Sequence, residues 1–280
     1  MESEEISITP TVGGVGAFVE KIDLSKNLRV EVVDRLRYAL GEYGVLLFRQ
    51  QDISPNQHLA FSQKFAPINV NRFFPKVDGH PEVAEVLKEP DHKENVGGGW
   101  HTDQSYDTEP AMGSILICRE TPQKGGDTLF ANTCLAYETL SAELKSTLKD
   151  LKGVHSSRHI FGPQGSSKYA NNEAAVQDSI HPLVILHPIS KKASIYVNPS
   201  FTIGIQGWKA SVAKPFLKIL YEHISKPEHT YRFKWAPGSM AFWDNRASWH
   251  FALNDYHGSR RLMHRVTIQG EPLSAFRSAR

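Results

Sequence analysis

The chain has 280 residues, 40% of them hydrophobic and 22% charged, with a formal net charge of +2; this suits one large soluble domain or two small ones with a real core. The near-neutral charge gives no support to a nucleic-acid-binding surface, and no apolar run approaches the roughly 18 residues that span a bilayer. The acidic stretch from Met1 to Pro10 lacks the apolar region of a signal peptide, and the two cysteines, Cys118 and Cys134, stand in no metal spacing and suit a reducing compartment, so a cytoplasmic location is expected.

Gly13 to Asp23 reads as short opening strands. Val30 to Tyr43 carries apolar residues at Val33, Leu36, Ala39 and Leu40, the pattern of an amphipathic helix, and Gly44 stops it. Val45-Leu46-Leu47-Phe48 is an apolar run short enough for a buried strand. Ser54-Pro55 supplies an N-cap and a first-turn proline for a helix through Phe65. Val83 to Leu87 is a further strand. Glu89 to Gly99 then breaks the regularity with charges and three glycines, as a lid or a plain loop would.

Ser114 to Cys118 reads as a strand, and the Gly125-Gly126-Asp127 turn feeds another, Thr128 to Ala131. Ser141 caps a helix over Ala142 to Leu151 with Glu143 in its first turn. His159 to Ile180 is polar and aperiodic, the signature of a lid or of disorder. His181 to His187 and Ser194 to Asn198 read as paired strands and Lys209 to Ile224 as a helix. Four strands close the chain: Thr230 to Trp235, Ser239 to Trp243, Trp249 to Leu253 and Arg260 to Gly270. Many short strands with Gly/Pro turns and a few helices predict a mostly β (α+β) double-sheet fold with helical insertions. No repeat or linker divides the chain, so residues 1–280 are expected to form one domain. Gly13-Gly14-Val15-Gly16 lacks the helix and spacing that phosphate cradling requires.

The chemistry concentrates at Trp100-His101-Thr102-Asp103. On a strand, a spacing of two puts imidazole and carboxylate on one face, whereas a helix would splay them by about 200°. His250, in Trp243-Asp244-Asn245-Arg246-Ala247-Ser248-Trp249-His250, is the candidate third ligand. Two histidines and one carboxylate occupy one face of an octahedron and leave three positions open, as in non-haem Fe(II) oxygenases; zinc favours a tetrahedral arrangement with one open position. Arg261 and Arg265 follow on the last strand, on one face with Cα atoms roughly 13 Å apart. If that face points inward, two buried guanidiniums need two anions. The alternative is that one or both pair with Asp or Glu.

The His-x-Asp pair, the distant His250 in its Trp-Asp-Asn-Arg context and Arg261 eleven residues beyond resemble the iron- and 2-oxoglutarate-dependent dioxygenases of the taurine dioxygenase and dichlorophenoxyacetate dioxygenase family. The resemblance runs from Gly44-Val45-Leu46-Leu47-Phe48-Arg49 to Met263-His264-Arg265 and takes in Gly125-Gly126-Asp127-Thr128 and Asn254-Asp255-Tyr256. It implies a double-stranded β-helix (jelly-roll) core, with His101, Asp103 and His250 as catalytic ligands of Fe(II). It assigns Arg261 and the Thr128 hydroxyl to the distal carboxylate of 2-oxoglutarate, Arg265 to an anionic group of the substrate, and Phe201 to the substrate pocket. O₂ is the second cosubstrate, and succinate and CO₂ leave with a hydroxylated product.

The sequence departs from the taurine enzymes at Asn71, Phe74 and Gly97, where they place a histidine, a tyrosine and an asparagine. Burying a sulfonate with fewer polar partners is costly, so a substrate bulkier or more apolar than taurine is expected: a sulfonate, sulfate ester or aryloxyalkanoate. Asn71 and Gln104 remain as polar contacts. The resemblance implies a small anionic organic partner, no nucleic acid or membrane, and leaves a homo-oligomer (dimer or tetramer) open. Taurine itself, a zinc hydrolase on the same triad, and a silent anion-binding jelly roll are the rival readings. His155, His159, His181 and His187 form no second triad by spacing, and His264 has the wrong strand parity for the site.

Overall fold

The computed structural model describes residues 5–162 and 176–277. The first third comprises strands β1 (Ser7–Pro10) and β2 (Ala17–Glu20), helix α1 (Val30–Tyr43), strand β3 (Val45–Phe48), helix α2 (Pro55–Ser62), and strands β4 (Ile68–Asn69), β5 (Lys76–Val77) and β6 (His80–Lys88). After an irregular run come β7 (Gly113–Glu120), β8 (Thr128–Asn132), α3 (Thr133–Glu138), α4 (Ala142–Leu148), β9 (Lys152–Ser156) and the one-turn α5 (Arg158–Phe161). The remainder is β10 (Asp178–Pro182), β11 (Val184–Leu186), β12 (Ala193–Ile195), β13 (Thr202–Ile205), α6 (Ala210–Ile224), β14 (Thr230–Phe233), β15 (Met240–Asp244), β16 (Ser248–Ala252) and β17 (Arg261–Ile268).

Local chemistry sets the helix ends. Gly44, at φ 75°, takes the left-handed conformation that closes α1, and its N–H donates to Leu40 O. Ser54 and Gln57 form a reciprocal capping box at the start of α2, with Pro55 in the first turn.

The main sheet runs β1-β2-β3-β15-β7-β17-β6-β5, with β4 on the edge of β17; a smaller sheet runs β14-β8-β16. The apolar runs in β3, β7 and β15 are continuous because these strands are buried on both faces. Alternate residues serve different cores: Leu46, Phe48, Ile115, Ile117, Met240 and Phe242 pack with Leu36 and Leu40 of α1 and Phe61 of α2. Their neighbours Val45, Leu47, Leu116, Cys118, Ala241 and Trp243 pack instead with Phe130 of β8 and Phe233 of β14. That second core is the layer between the two sheets of the jelly roll, and the site opens at one end of it. A third core packs α6 against β12, β13 and Trp249. No helix among the described residues is long and apolar enough to cross a membrane.

Most expected elements are present, with ends moved by up to three residues. The helix expected through Phe65 ends at Ser62, and the one expected through Leu151 ends at Leu148. The stretch from His181 to His187 is two strands in different sheets, β10 pairing β9 and β11 pairing β12; Pro182, the last residue of β10, has no N–H to continue the ladder. Of the polar stretch from His159 to Ile180, the structure describes α5 and the start of β10, and residues 163–175 lie outside the described residues. The strand expected to carry both His101 and Asp103 is absent: His101 forms an isolated bridge, and Asp103 starts a turn.

Candidate functional site

His101 and His250 meet through their backbones. His101 N donates to His250 O at 3.1 Å and His250 N donates to His101 O at 2.9 Å, an isolated antiparallel bridge at the middle of β16. The imidazole centroids are 4.0 Å apart. The chain then turns, with Gln104 held at φ 52°, and the turn rather than strand parity brings Asp103 to the rings. Asp103 Oδ1 lies 3.8 Å from His101 Nε2 and 3.7 Å from His250 Nε2. Among the described residues, these three are the one group of His, Cys, Asp and Glu side chains placed to share a metal ion.

The surrounding hydrogen bonds leave free the atoms that could bind a metal. His101 Nδ1 donates to Gly99 O at 2.8 Å, which leaves the Nε2 lone pair facing Asp103. Asp103 Oδ2 accepts from Arg265 Nη2 at 2.6 Å, Trp243 Nε1 at 3.1 Å and Ser114 Oγ at 3.3 Å. Asn245 Oδ1 accepts from Asp103 N at 3.3 Å. The Trp-Asp-Asn-Arg motif thus divides its labour: Trp243 and Asn245 hold Asp103, while Asp244 pairs with Arg246 and His187.

Burial alone would raise the Asp103 carboxyl, but Arg265 and the two imidazoles outweigh it and hold the group well below the usual carboxylate range. Burial lowers His101 against the pull of Asp103, and burial with His101 alongside holds His250 well below the ordinary histidine range. At neutral pH the donor set is two neutral imidazoles and one carboxylate. That set fits a first-row divalent cation, and iron in particular.

Two cavities border the triad. The smaller, about 50 Å³, is lined by Leu116, Thr128, Trp243, His250, Ala252 and Arg261 among others. Arg261 is 5% exposed and has no carboxylate within ion-pair distance among the described residues. Its Nε donates to Gly126 O at 3.1 Å, and its buried Nη2 has no hydrogen-bond partner. Thr128 Oγ1 accepts from Trp235 Nε1 at 2.9 Å. A buried guanidinium without an anion is expensive, and this orphan sits where a carboxylate would satisfy it.

The larger cavity, about 450 Å³, has aromatic walls that include Phe73, Phe74, Tyr106, Phe161 and Phe201. Phe73 and Phe161 stack at 4.0 Å, and Phe201 meets the Tyr106 ring edge-on at 4.8 Å. Phe74 and Arg265 border both cavities. So does Gly97, at φ 78°, where a Cβ would come within 3.1 Å of the His101 ring. The loop from Glu89 to Gly99 walls the site and is tied down by Asn95 Nδ2 to Ala252 O and by Ala252 N to Gly97 O, both at 2.9 Å.

The remaining expected site residues also line the larger cavity. Arg265 is an Asp103 partner first: Nη2 and Nε also donate to Ser114 Oγ, at 2.9 and 3.1 Å. Its Nη1 has no hydrogen-bond partner among the described residues. Asn71 Oδ1 accepts from Phe73 N and Phe74 N, so that oxygen braces a turn. Gln104 lines the larger cavity, but both of its amide atoms are buried without partners. Ser114, Trp235, Tyr106 and Phe161 were missed by sequence reasoning; no spacing singles them out, because each reaches the site from a different element. His264 lies on the opposite face of β17, half-buried against Arg119. His155 and His181 pack on Tyr196, away from the triad.

A family model described as taurine catabolism dioxygenase TauD, TfdA family matches residues 7–267. The chain is 32% identical to an alkylsulfatase of Acinetobacter baylyi, over 96% of this chain and 86% of that protein. It is 29% identical to an alpha-ketoglutarate-dependent sulfate ester dioxygenase of Pseudomonas putida, over 95% of this chain and 90% of the relative. The crystal structure of a taurine dioxygenase from Burkholderia xenovorans superposes with a TM-score of 0.83 at 36% identity, covering 96% of this chain and 93% of that one.

Proposed function

Because the chain belongs to the TauD, TfdA family and is by that membership a 2-oxoglutarate-dependent dioxygenase, we propose that it oxidises a small organic anion, an alkyl sulfate ester or sulfonate before an aryloxyalkanoate. His101, Asp103 and His250 are the residues that would hold Fe(II). When bound, iron with 2-oxoglutarate and O₂ supplies an oxidant that replaces a substrate C–H by C–OH, with release of succinate and CO₂. A hydroxylated carbon that carries a sulfate or sulfonate then collapses to an aldehyde or ketone as that group leaves.

The protein's own side chains bind and orient. Arg261 and the Thr128 hydroxyl take the far carboxylate of 2-oxoglutarate. Arg265 keeps Nη2 on Asp103 and offers Nη1 to the anionic group of the substrate. Phe74, Phe201 and Tyr106 cover the rest of the substrate, excluding water and selecting which C–H lies nearest the metal. The observation that carries this reading is the buried, acid-free guanidinium of Arg261 beside Thr128, in a cavity that opens on the triad. A zinc hydrolase would have no use for it.

Sulfate esters lead the substrate classes because two of the relatives are named for that chemistry, and because the larger cavity is walled by aromatic rings. Taurine is disfavoured: Phe74 offers no hydroxyl, Gly97 has no side chain, and Asn71 spends its oxygen on the backbone. We place catalysis in one domain and in the cytoplasm. Burial pushes the unpaired thiol of Cys118 up to about 11 and that of Cys134 up to about 12, which suits inert thiols of a reducing compartment. The deciding experiment is an aerobic assay with Fe(II) and 2-oxoglutarate across alkyl sulfates, alkyl sulfonates and aryloxyalkanoates. Succinate should form faster with one of these classes than without substrate; equal rates with all of them and with none would end this reading.

A further inference from the structure

We propose that Ser114 is a positioning residue of the metal site: its hydroxyl fixes the Arg265 guanidinium so that one terminal nitrogen holds Asp103 and the other faces the larger cavity. Ser114 is the polar residue in an apolar stretch of β7, Ser114-Ile115-Leu116-Ile117-Cys118, and is fully buried. A polar side chain in such a strand destabilises the core unless its hydrogen bonds are made.

The strand register accounts for its surroundings. Ser114 lies opposite Trp243 on β15 and opposite Thr267 on β17. Residues directly opposite in a sheet share a face, and Arg265, two residues before Thr267, shares it too. Four polar side chains therefore converge beside Asp103. Ser114 Oγ lies 3.1 Å from Arg265 Nε, 2.9 Å from Arg265 Nη2, 3.3 Å from Asp103 Oδ2 and 3.5 Å from Thr267 Oγ1.

A hydroxyl has two lone pairs and one proton. Here both lone pairs accept from Arg265, and the proton goes to Asp103 with Thr267 as the longer alternative. Alanine can do neither, and a carboxylate would add a second negative charge next to Asp103. With Nε and Nη2 both anchored on one oxygen, the guanidinium plane is fixed. Asp103 Oδ2 is then fully occupied, and Oδ1 is the oxygen left facing the two imidazoles. Ser114 touches neither the metal position nor the cavities. It acts through Arg265 and Asp103, and its second consequence, the free Nη1, rests on the reading of Arg265 as the substrate-anion contact.

The test compares the full-length native protein with Ser114→Ala and Ser114→Thr. The readouts are the dissociation constant and visible spectrum of bound Co(II) without any substrate, with thermal melting as the control for folding. Loss of an outer partner of a metal ligand typically weakens binding about 10- to 100-fold. Ser114→Ala should show that loss with an altered Co(II) band, and Ser114→Thr, which keeps the hydroxyl, should recover most of it. Native affinity in Ser114→Ala overturns the proposal. So does equal weakening in both variants, which would make the role one of packing. Because no substrate is present, a native enzyme indifferent to substrate charge would remove Arg265 as the anion contact and leave this result standing.

Discussion

Trp235 donates its indole N–H to Thr128 Oγ1 at 2.9 Å, joining the end of one small-sheet strand to the start of its neighbour. An oxygen that accepts here has its own proton to give elsewhere, and the smaller cavity lies beside it. Thr128→Val keeps the shape and removes the hydroxyl. It should orphan the indole and destabilise the protein by about 1–3 kcal/mol, and it should also weaken 2-oxoglutarate binding. Thr128→Ser should restore both. Anaerobic titration of the Fe(II) protein with 2-oxoglutarate checks the second effect, and unchanged affinity in Thr128→Val would take the hydroxyl out of the cosubstrate site.

Arg261 makes a stronger claim on the same ligand. Its guanidinium is buried without an acid, so a bound carboxylate gains a desolvated partner. Arg261→Ala should cost roughly 2–5 kcal/mol of 2-oxoglutarate affinity, about 30- to several-thousand-fold. Arg261→Lys should recover only part, because an ammonium cannot make the forked contact. The same anaerobic titration decides; an unaltered dissociation constant in Arg261→Ala would remove this residue from the site.

The triad has no spare ligand among the described residues. His101→Ala, Asp103→Ala and His250→Ala should each abolish substrate-dependent succinate formation with the fold intact. Asp103→Ala should also lower the melting temperature, since it leaves Arg265 buried beside a lost partner. Near-normal turnover by His250→Ala would mean that another residue supplies the third ligand.

Substrate preference is best read with ligands rather than with Arg265 variants, because Arg265 also holds Asp103 and its loss would disturb the metal. In a homologous series of alkyl sulfates, each methylene buried against Phe74 and Phe201 should improve binding by about 0.8 kcal/mol until the cavity is full. Neutral alcohols of the same length should bind far more weakly. Taurine giving the highest kcat/KM would overturn the reading of Asn71, Phe74 and Gly97, and parity between alcohols and sulfates would overturn that of Arg265.

Stability should fall in mild acid, because buried histidines outside the site add to the effect of the two triad imidazoles. Burial, with Arg119 nearby, pushes His58 from an ordinary value of 6.5 down to about 3, and burial holds His155 well below its ordinary value. Above pH 6.5 both states are neutral and nothing is lost. As the pH drops below 6.5 the unfolded chain takes up protons that the folded one refuses, so stability declines, by about 2 kcal/mol at pH 5 for His58. Melting temperatures at pH 7.5 and 5 check this, and His58→Leu should narrow the difference between them. The carboxylates of Asp103 and Asp244, both held well below their usual range, stay ionised over this interval. An equal acid loss in His58→Leu would assign the effect to other groups.

The residues that the structure gathers at the candidate site, His101, Asp103, His250 and Arg261, were legible in the sequence because they ride on short, ordered motifs. His101-x-Asp103, His250 and Arg261 appear at spacings that survive translation into structure. The strands were legible too, since doubly buried strands read as continuous apolar runs, as in β3 and β7. What the chain order could not convey was who stands opposite whom. Asp103 reaches the imidazoles through a turn, where strand parity had suggested a shared face. For Arg265 the sequence left open a substrate anion or an Asp or Glu as partner, and the structure pairs it with Asp103. Ser114, Trp235 and Phe161 belong to separate elements, and their part in the site follows from sheet register, rotamer and the packing of two sheets. Periodicity records which side of its own element a residue faces. Hydrogen-bond partners across a ladder depend on how strands distant in sequence are aligned, and that alignment is fixed only when the whole fold is assembled.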